Sequence, residues 1–186
     1  MSDAYPVIER GAAESDGDRR ILRFTLRLPH PVERVWAAVA GSEGLRGWLA
    51  AAEPFEPRIG GRVTLRWLNT DEAGNATVAS GTVTAWDVER VAEYTLEGAH
   101  GRIRFHLEPP RGDHVVLRFT NEFRGDDASR PDRLAGWHHH FEYLVQALDG
   151  HPADWSAWTF TRWRELRDGY AAEDPGRDGD DVGRQF

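Results

Sequence analysis

The stretch LAGWHHHFEYLVQAL, residues 134–148, sets three consecutive histidines, His138, His139 and His140, inside an amphipathic helical pattern. Imidazole is a metal ligand and the side chain whose charge changes nearest neutral pH, so the first question is whether these three act together. Neighbouring helical residues point about 100° apart, so the three side chains cannot converge on one ion. No HExxH pattern is present either, and no metal site is expected. His138 and Glu142 are four residues apart and share a face. His138 also borders the apolar stripe of Leu134, Trp137, Phe141, Leu144, Val145 and Leu148. The expectation is a hydrogen-bonded His138 at the edge of the core, the one weak candidate for acid/base work, with His139 and His140 solvated.

Other chemistries are excluded by composition. The 186 residues contain no cysteine, which removes disulfides, thiolate metal sites and cysteine nucleophiles and fits a reducing compartment. No Ser-His-Asp order can be defended from spacing, and IGGR at 59–62 lacks the length and the lysine of a phosphate loop. No cofactor is expected. Two RGD triplets, at 111–113 and 124–126, are chance-level signals for adhesion. A formal charge of −8, from 31 acidic and 23 basic residues, disfavours nucleic acid and anionic membranes as partners. MSDAYPVIERG lacks the basic and apolar regions of a signal peptide, and no apolar run approaches a membrane span. The cytoplasm is the expected location.

These residues need elements to hold them. Residues 1–19 read as a flexible N-terminal arm rich in charge and glycine. In RILRFTLRLPH, Leu22, Phe24, Leu26 and Leu28 alternate with polar residues, as in a strand with one buried face. PVERVWAAVAG then changes to helical spacing, and a second short helix follows from Ser42 to Leu49. From Glu53 to Phe123 the pattern is a meander of five or six strands. Its apolar positions include Val63, Leu65, Trp67, Ile103, Phe105, Leu107, Val115, Leu117 and Phe119. Gly81 marks a bulge or bend within one of them. Arg62, Arg66, Arg102, Arg104 and Arg118 take the opposite parity and form a solvated face. The long helix ends at Gly150, a further helix runs from about Asp154 to Ala171, and the last residues are polar.

In order and spacing, LPHPVERVWAAVAGSEGLRGWLA, FEPRIGGRVTLRW and LAGWHHHFEYLVQALDG resemble the START-like (SRPBCC) superfamily in its Hsp90 ATPase activator homologue (AHSA1-like) branch. Pro31, Trp36, Trp48, Gly60, Gly61, Gly136 and Trp137 match its motifs. The resemblance implies an α+β helix-grip fold, a curved antiparallel sheet wrapped around a long C-terminal helix. It also implies an internal cavity that takes an apolar ligand. The domain would span 20–150, with a helical extension packed on it at 151–172 and a disordered tail at 173–186. No stretch resembles the separate N-terminal domain of Hsp90 co-chaperones, so that activity is not expected.

On this reading Trp36, Trp48, Trp67, Phe105, Phe119, Trp137, His138 and Phe141 face the cavity or its mouth and are the ligand-binding candidates. The leading function is binding of a small apolar or aromatic molecule, in a regulatory or stress-related role, without catalysis. An enzyme of cyclase or hydrolase type using the same cavity is the alternative. A third reading is a protein-interaction domain, or a homodimer, using the tryptophan-rich extension with Trp155, Trp158 and Trp163.

Overall fold

The computed structural model describes residues 5–173. Among the described residues eight strands form one antiparallel sheet. They are β1 (Ala12–Asp16), β2 (Arg19–Leu28), β3 (Ala50–Phe55), β4 (Arg62–Thr70), β5 (Ala76–Asp87), β6 (Val91–Leu96), β7 (Gly101–Leu107) and β8 (Val115–Arg124). Their order across the sheet is β1-β2-β8-β7-β6-β5-β4-β3. The helices are α1 (Val32–Ala40), α2 (Ser42–Arg46), α3 (Arg130–Leu148) and α4 (Thr161–Ala172). The sheet curves around α3, which makes this an α+β helix-grip fold. Among the described residues no helix is long and apolar enough to cross a membrane.

The period-two pattern decides which face is inside. Leu22, Phe24, Leu26 and Leu28 of β2 are buried, as are Val63, Leu65 and Trp67 of β4, Ile103, Phe105 and Leu107 of β7, and Val115, Leu117 and Phe119 of β8. On the outer face arginines meet carboxylates across strands: Arg104 with Glu93, Arg102 with Glu122, and Arg118 with Glu108. The Glu93 carboxylate is buried, and the two exposed pairs contribute little each, about 1 kcal/mol or less.

Between β2 and β3 the chain makes α1 and α2, and their attachment solves a specific problem. The last carbonyls of a helix have no partner within it. In α1 those of Ala38 and Val39 accept from the Trp48 indole at 2.8 Å and from the Tyr94 hydroxyl at 2.8 Å. Two large aromatic side chains therefore pin the helical pair to the core.

Two expectations need correction. Residues 12–16, expected within a flexible arm, form the edge strand β1. Their side chains are exposed apart from a half-buried Ala13, so the strand is held by backbone pairing to β2 rather than by apolar burial. The two-residue turn between the strands uses Gly17 at φ +59°. At the other end, the helix expected from about Asp154 is a short 3₁₀ turn, Trp155–Ala157, followed by α4 from Thr161. Beyond Glu173 the expected disordered tail lies outside the described residues.

Gly81 serves a close backbone approach. A Cβ there would lie 1.9 Å from the Thr95 carbonyl oxygen on β6. Gly81→Ala is expected to cost about 2–4 kcal/mol, because backbone on both sides must shift. Urea denaturation measures it, and a variant as stable as the parent would show that the β5–β6 contact yields.

Candidate ligand-binding cleft

The deep part of the grip is packed. Trp48, Phe105, Phe119 and Phe141 are at most 1% exposed. Phe141 stacks on Trp48 with centroids 5.8 Å apart and meets Phe119 edge-on at 4.9 Å and Phe24 at 5.1 Å. Side chains thus fill the space beneath the centre of α3, and these four residues form a sealed aromatic core. Trp36 lies elsewhere, half-buried against Trp86 at 5.0 Å.

Open space remains where α3 begins. A cleft of about 310 Å³ lies among the end of β4, the 3₁₀ turn Gly98–His100, β8 and the first turns of α3. The β4–β5 pairing shifts register between Arg66 and Thr70. Bulges of this kind re-aim side chains, and Trp67 and Asn69 of the shifted stretch both border the cleft. Trp67 stacks on His100 at 4.7 Å and 23°, making one flat wall. Trp137 makes another, its indole donating to Asn121 Oδ1 at 3.2 Å. Asn121 is 2% exposed and fully used, since its Nδ2 donates to the His100 and Arg102 carbonyls. Asn69 Oδ1 is buried and has no hydrogen-bond donor. Arg133 is half-buried at the cleft and lies over the Phe123 ring at 3.9 Å. Larger grooves exist, including one of about 540 Å³ between the α1–α2 corner and the end of α3. That groove is lined mainly by alanine and glycine and has no aromatic wall.

His139 and His140, expected to be solvated, depart from expectation, whereas His138 is hydrogen-bonded at the core as expected. All three are buried, at 4%, 4% and 7% exposure for His138, His139 and His140. The cover over His139 and His140 comes from the extension. His139 stacks on Tyr143 at 4.7 Å and on Trp158 at 6.3 Å, and His140 lies 6.0 Å from Trp155. Trp155 and Trp163 donate their indole protons to the carbonyls of Arg46 and Asp132, so they tie the extension down instead of forming an exposed patch.

His140 is the histidine beside the cleft. Its Nδ1 lies 2.9 Å from the Trp48 carbonyl oxygen, which can only accept. Nδ1 therefore carries the proton and Nε2 the lone pair. Burial lowers its pKa to about 4 against the opposing pull of that bond. Burial and the positive Arg133 lower that of His100 as well.

His138 lies away from the cleft, toward α4. Tyr170 Oη accepts the Gly11 N–H at 2.9 Å and lies 2.7 Å from His138 Nδ1, the acceptor for its hydroxyl proton. Nε2 then holds the ring proton and points at Glu142 Oε1, 3.6 Å away. Arg162 forks onto both oxygens of Glu142, at 2.5 and 3.1 Å. Burial raises the Glu142 carboxyl pKa and the Arg162 bonds oppose this. Burial, with Arg10 and Arg162 nearby, lowers the pKa of His138 to about 4. That of His139 falls to about 3 through burial and the neighbouring His140, Arg162 and His138. Among the described residues no group of three or more His, Asp or Glu side chains is placed to hold a metal ion.

Trp67 and Trp137, two of the ligand-binding candidates, border the cleft; Asn69, His100, Asn121 and Arg133 border it too and were not among the candidates, Asn121 having the sequence position only of a strand-end polar group at a rim. Strand parity carried a signal for two of these: Asn69 follows Leu65 and Trp67, and Asn121 lies between Phe119 and Phe123. A polar residue at an inward position announces either an internal hydrogen bond or a cavity.

A helix-grip domain with a cleft between sheet and helix is the class that this geometry defines. The family model described as "Activator of Hsp90 ATPase homolog 1-like protein" matches residues 29–149, and the chain belongs to that family. Comparison with curated proteins finds no match. Among solved structures, CalU16 from Micromonospora echinospora is 19% identical with a TM-score of 0.67, over 92% of this chain and 100% of its own. The protein encoded by gene BPP1335 of Bordetella parapertussis is 25% identical with a TM-score of 0.64, over all of both chains. A conserved protein of unknown function from Enterococcus faecalis is 13% identical with a TM-score of 0.66, over 88% of this chain and 89% of its own.

Two predictions follow from the buried polar residues of α3. The three histidines have folded pKa values below the unfolded value of about 6.5, so protonation favours the unfolded chain. Their contribution is intact above that pH. It is lost as pH falls toward about 4 for His138 and His140 and about 3 for His139, at about 1.4 kcal/mol per histidine per pH unit. Urea midpoints measured from pH 7.5 to 5 should fall steeply, with proton uptake on unfolding approaching three; uptake near zero would mean that the imidazoles are hydrated. Tyr170→Phe leaves Gly11 N–H and His138 without their partner and should cost about 1–3 kcal/mol. Amide exchange at Gly11 should accelerate, and unchanged protection there would contradict the assigned bond.

Proposed function

We propose that this chain binds a small, flat, largely apolar molecule in the cleft between β4, β8 and the start of α3, without transforming it. The family fold is known for ligand binding. The observation that carries the reading for this chain is the cleft's wall, in which Trp67 stacked on His100 and the indole of Trp137 border the same open space. Aromatic walls with a few placed polar groups are the usual composition of a small-molecule site. Its size is at the lower end for such sites, about 300–1,000 Å³, which suits a ligand of one or two fused rings.

Catalysis is the weaker reading because the base is poorly matched. A general base works best with a pKa near the working pH. His140, with a value of about 4, holds a proton too loosely for that work. His138 has both nitrogens directed at Tyr170 and Glu142, on the side of α3 toward α4. The protein-interaction reading needs exposed tryptophans, and those of the extension are packed on α3.

The test follows the indole N–H resonances of the eight tryptophans in ¹⁵N-labelled protein during titration with naphthol and with indole. Trp67 and Trp137 should shift while Trp36, Trp155, Trp158 and Trp163 stay in place. Shifts confined to the last three would favour the extension as the binding surface, and no shift with either probe would overturn the proposal.

A further inference from the structure

The polar groups of the cleft narrow the ligand class, given that the cleft is the binding site. Arg133 differs from the arginines on the neighbouring strands. Arg102, Arg104 and Arg118 each reach a glutamate, whereas among the described residues no carboxylate lies within ion-pair distance of Arg133. Its contact is with the face of Phe123, at 3.9 Å. Stacking uses the flat side of a guanidinium and leaves its in-plane N–H donors free, in the fork geometry that matches a carboxylate. The neighbouring charges do not supply that carboxylate. Asp126 favours the charged form of Arg133 from a distance, and Asp132 is exposed at the rim, where solvent screens it. His100 is kept neutral by burial and by Arg133 itself, so it adds no competing positive charge.

Asn69 supplies the complementary demand. Asn69 borders the same cleft, and its Oδ1 is buried at the shifted end of β4 and accepts from nothing in the protein. A buried acceptor without a donor is costly, and buried polar atoms in folded proteins are almost always paired. The cleft therefore holds a cationic fork without an anion, a buried acceptor without a donor, and a flat aromatic wall. We infer that its ligand is an aromatic carboxylate that also carries a hydroxyl or amino group. The carboxylate faces Arg133, the donor serves Asn69, and the ring lies against Trp67.

Calorimetric titration of the full chain with hydroxynaphthoate, naphthoate and naphthol tests this, using the parent protein, Arg133→Gln, Arg133→Lys and Asn69→Leu. In the parent protein both acids should bind about 10-fold or more tighter than naphthol, in line with a charge-assisted hydrogen bond. Hydroxynaphthoate should exceed naphthoate by about 3- to 10-fold. Arg133→Gln should bring hydroxynaphthoate down to about the affinity of naphthol, put naphthoate below it, and leave naphthol within about 2-fold, so naphthol binding also reports that the variant is folded. Asn69→Leu should erase only the advantage of the hydroxyl. If Arg133→Gln loses naphthol as well, Arg133→Lys decides: a retained but reduced preference for acids supports the inference, and no preference overturns it. Equal binding of all three probes to the parent protein overturns the ligand class and leaves cleft binding standing. No binding of any probe overturns the cleft reading itself.

Discussion

Glu142 lies in the middle of α3 with its side chain 1% exposed, and Arg162 of α4 forks onto it. A buried carboxylate without a partner would be destabilising by about 3–5 kcal/mol, so the chain cannot bury this helix face without delivering a cation to that point. Replacing such a pair with apolar residues is often neutral for stability, and its value here is positional. Delivering Arg162 fixes where α4 lies along α3. Once α4 is there, Tyr170 falls beside His138, and its hydroxyl takes up the Gly11 N–H just before β1. Arg10 then lies over the Tyr170 ring at 3.9 Å and pairs with Glu173 at 2.7 Å. One ion pair thus links the middle helix, the last helix and the first strand.

The same helix meets two different partners. Toward the sheet it presents Trp137, Phe141, Leu144 and Leu148, which pack into the aromatic core and leave no room beneath its centre. Away from the sheet it presents His139 and Tyr143 to the tryptophans of the extension. A helix covered on both sides has nowhere to solvate polar groups, and imidazole suits that position because it becomes neutral at little cost and still makes a directed hydrogen bond. Beside α3 an aromatic-walled gap survives where packing changes character, at the shifted end of β4 and at Gly136, which puts no side chain into it.

How far the sequence could be read follows from which contacts are local. Strand alternation and the apolar stripe of α3 are local patterns, and they placed the inward faces of β2, β4, β7 and β8 as well as Trp67 and Trp137. β1 escaped because AAESD buries almost nothing, and an edge strand held by backbone pairing leaves no hydrophobic period to read. The burial of His139 and His140 escaped for a different reason. Their cover is residues 155–163, and nothing in LAGWHHHFEYLVQAL says that a later segment folds back over its polar side. The tryptophans of that segment, which did not fit one helical face, were the available clue: aromatic side chains spread around a short element need a surface to cover. Asn69 and Asn121 sat at inward parity and were legible by position, whereas Arg133 was not, because the role proposed for it depends on which carboxylates lie within ion-pair distance in the folded chain.

Neutral histidines beside a positively charged arginine define what the cleft can do. At neutral pH His100 and His140 add hydrogen-bonding edges and flat surface without charge, so Arg133 is the half-buried charge that faces the gap. The one carboxylate bordering the cleft among the described residues, Asp132, is exposed and screened by solvent, so it offsets the Arg133 field only in part, and the low polarity of the Trp67 and Trp137 walls would strengthen the attraction of an anion relative to open solvent. A base tuned near neutrality would have served proton transfer, but it would also have carried partial positive charge and blurred this asymmetry. The depressed His140 suits the opposite task, holding Trp48 and the α1–α2 corner through Nδ1 while presenting an uncharged Nε2. Recognition by one fixed cation, one buried acceptor and a rigid aromatic wall would need no moving proton, and that is the physical ground for proposing binding over catalysis.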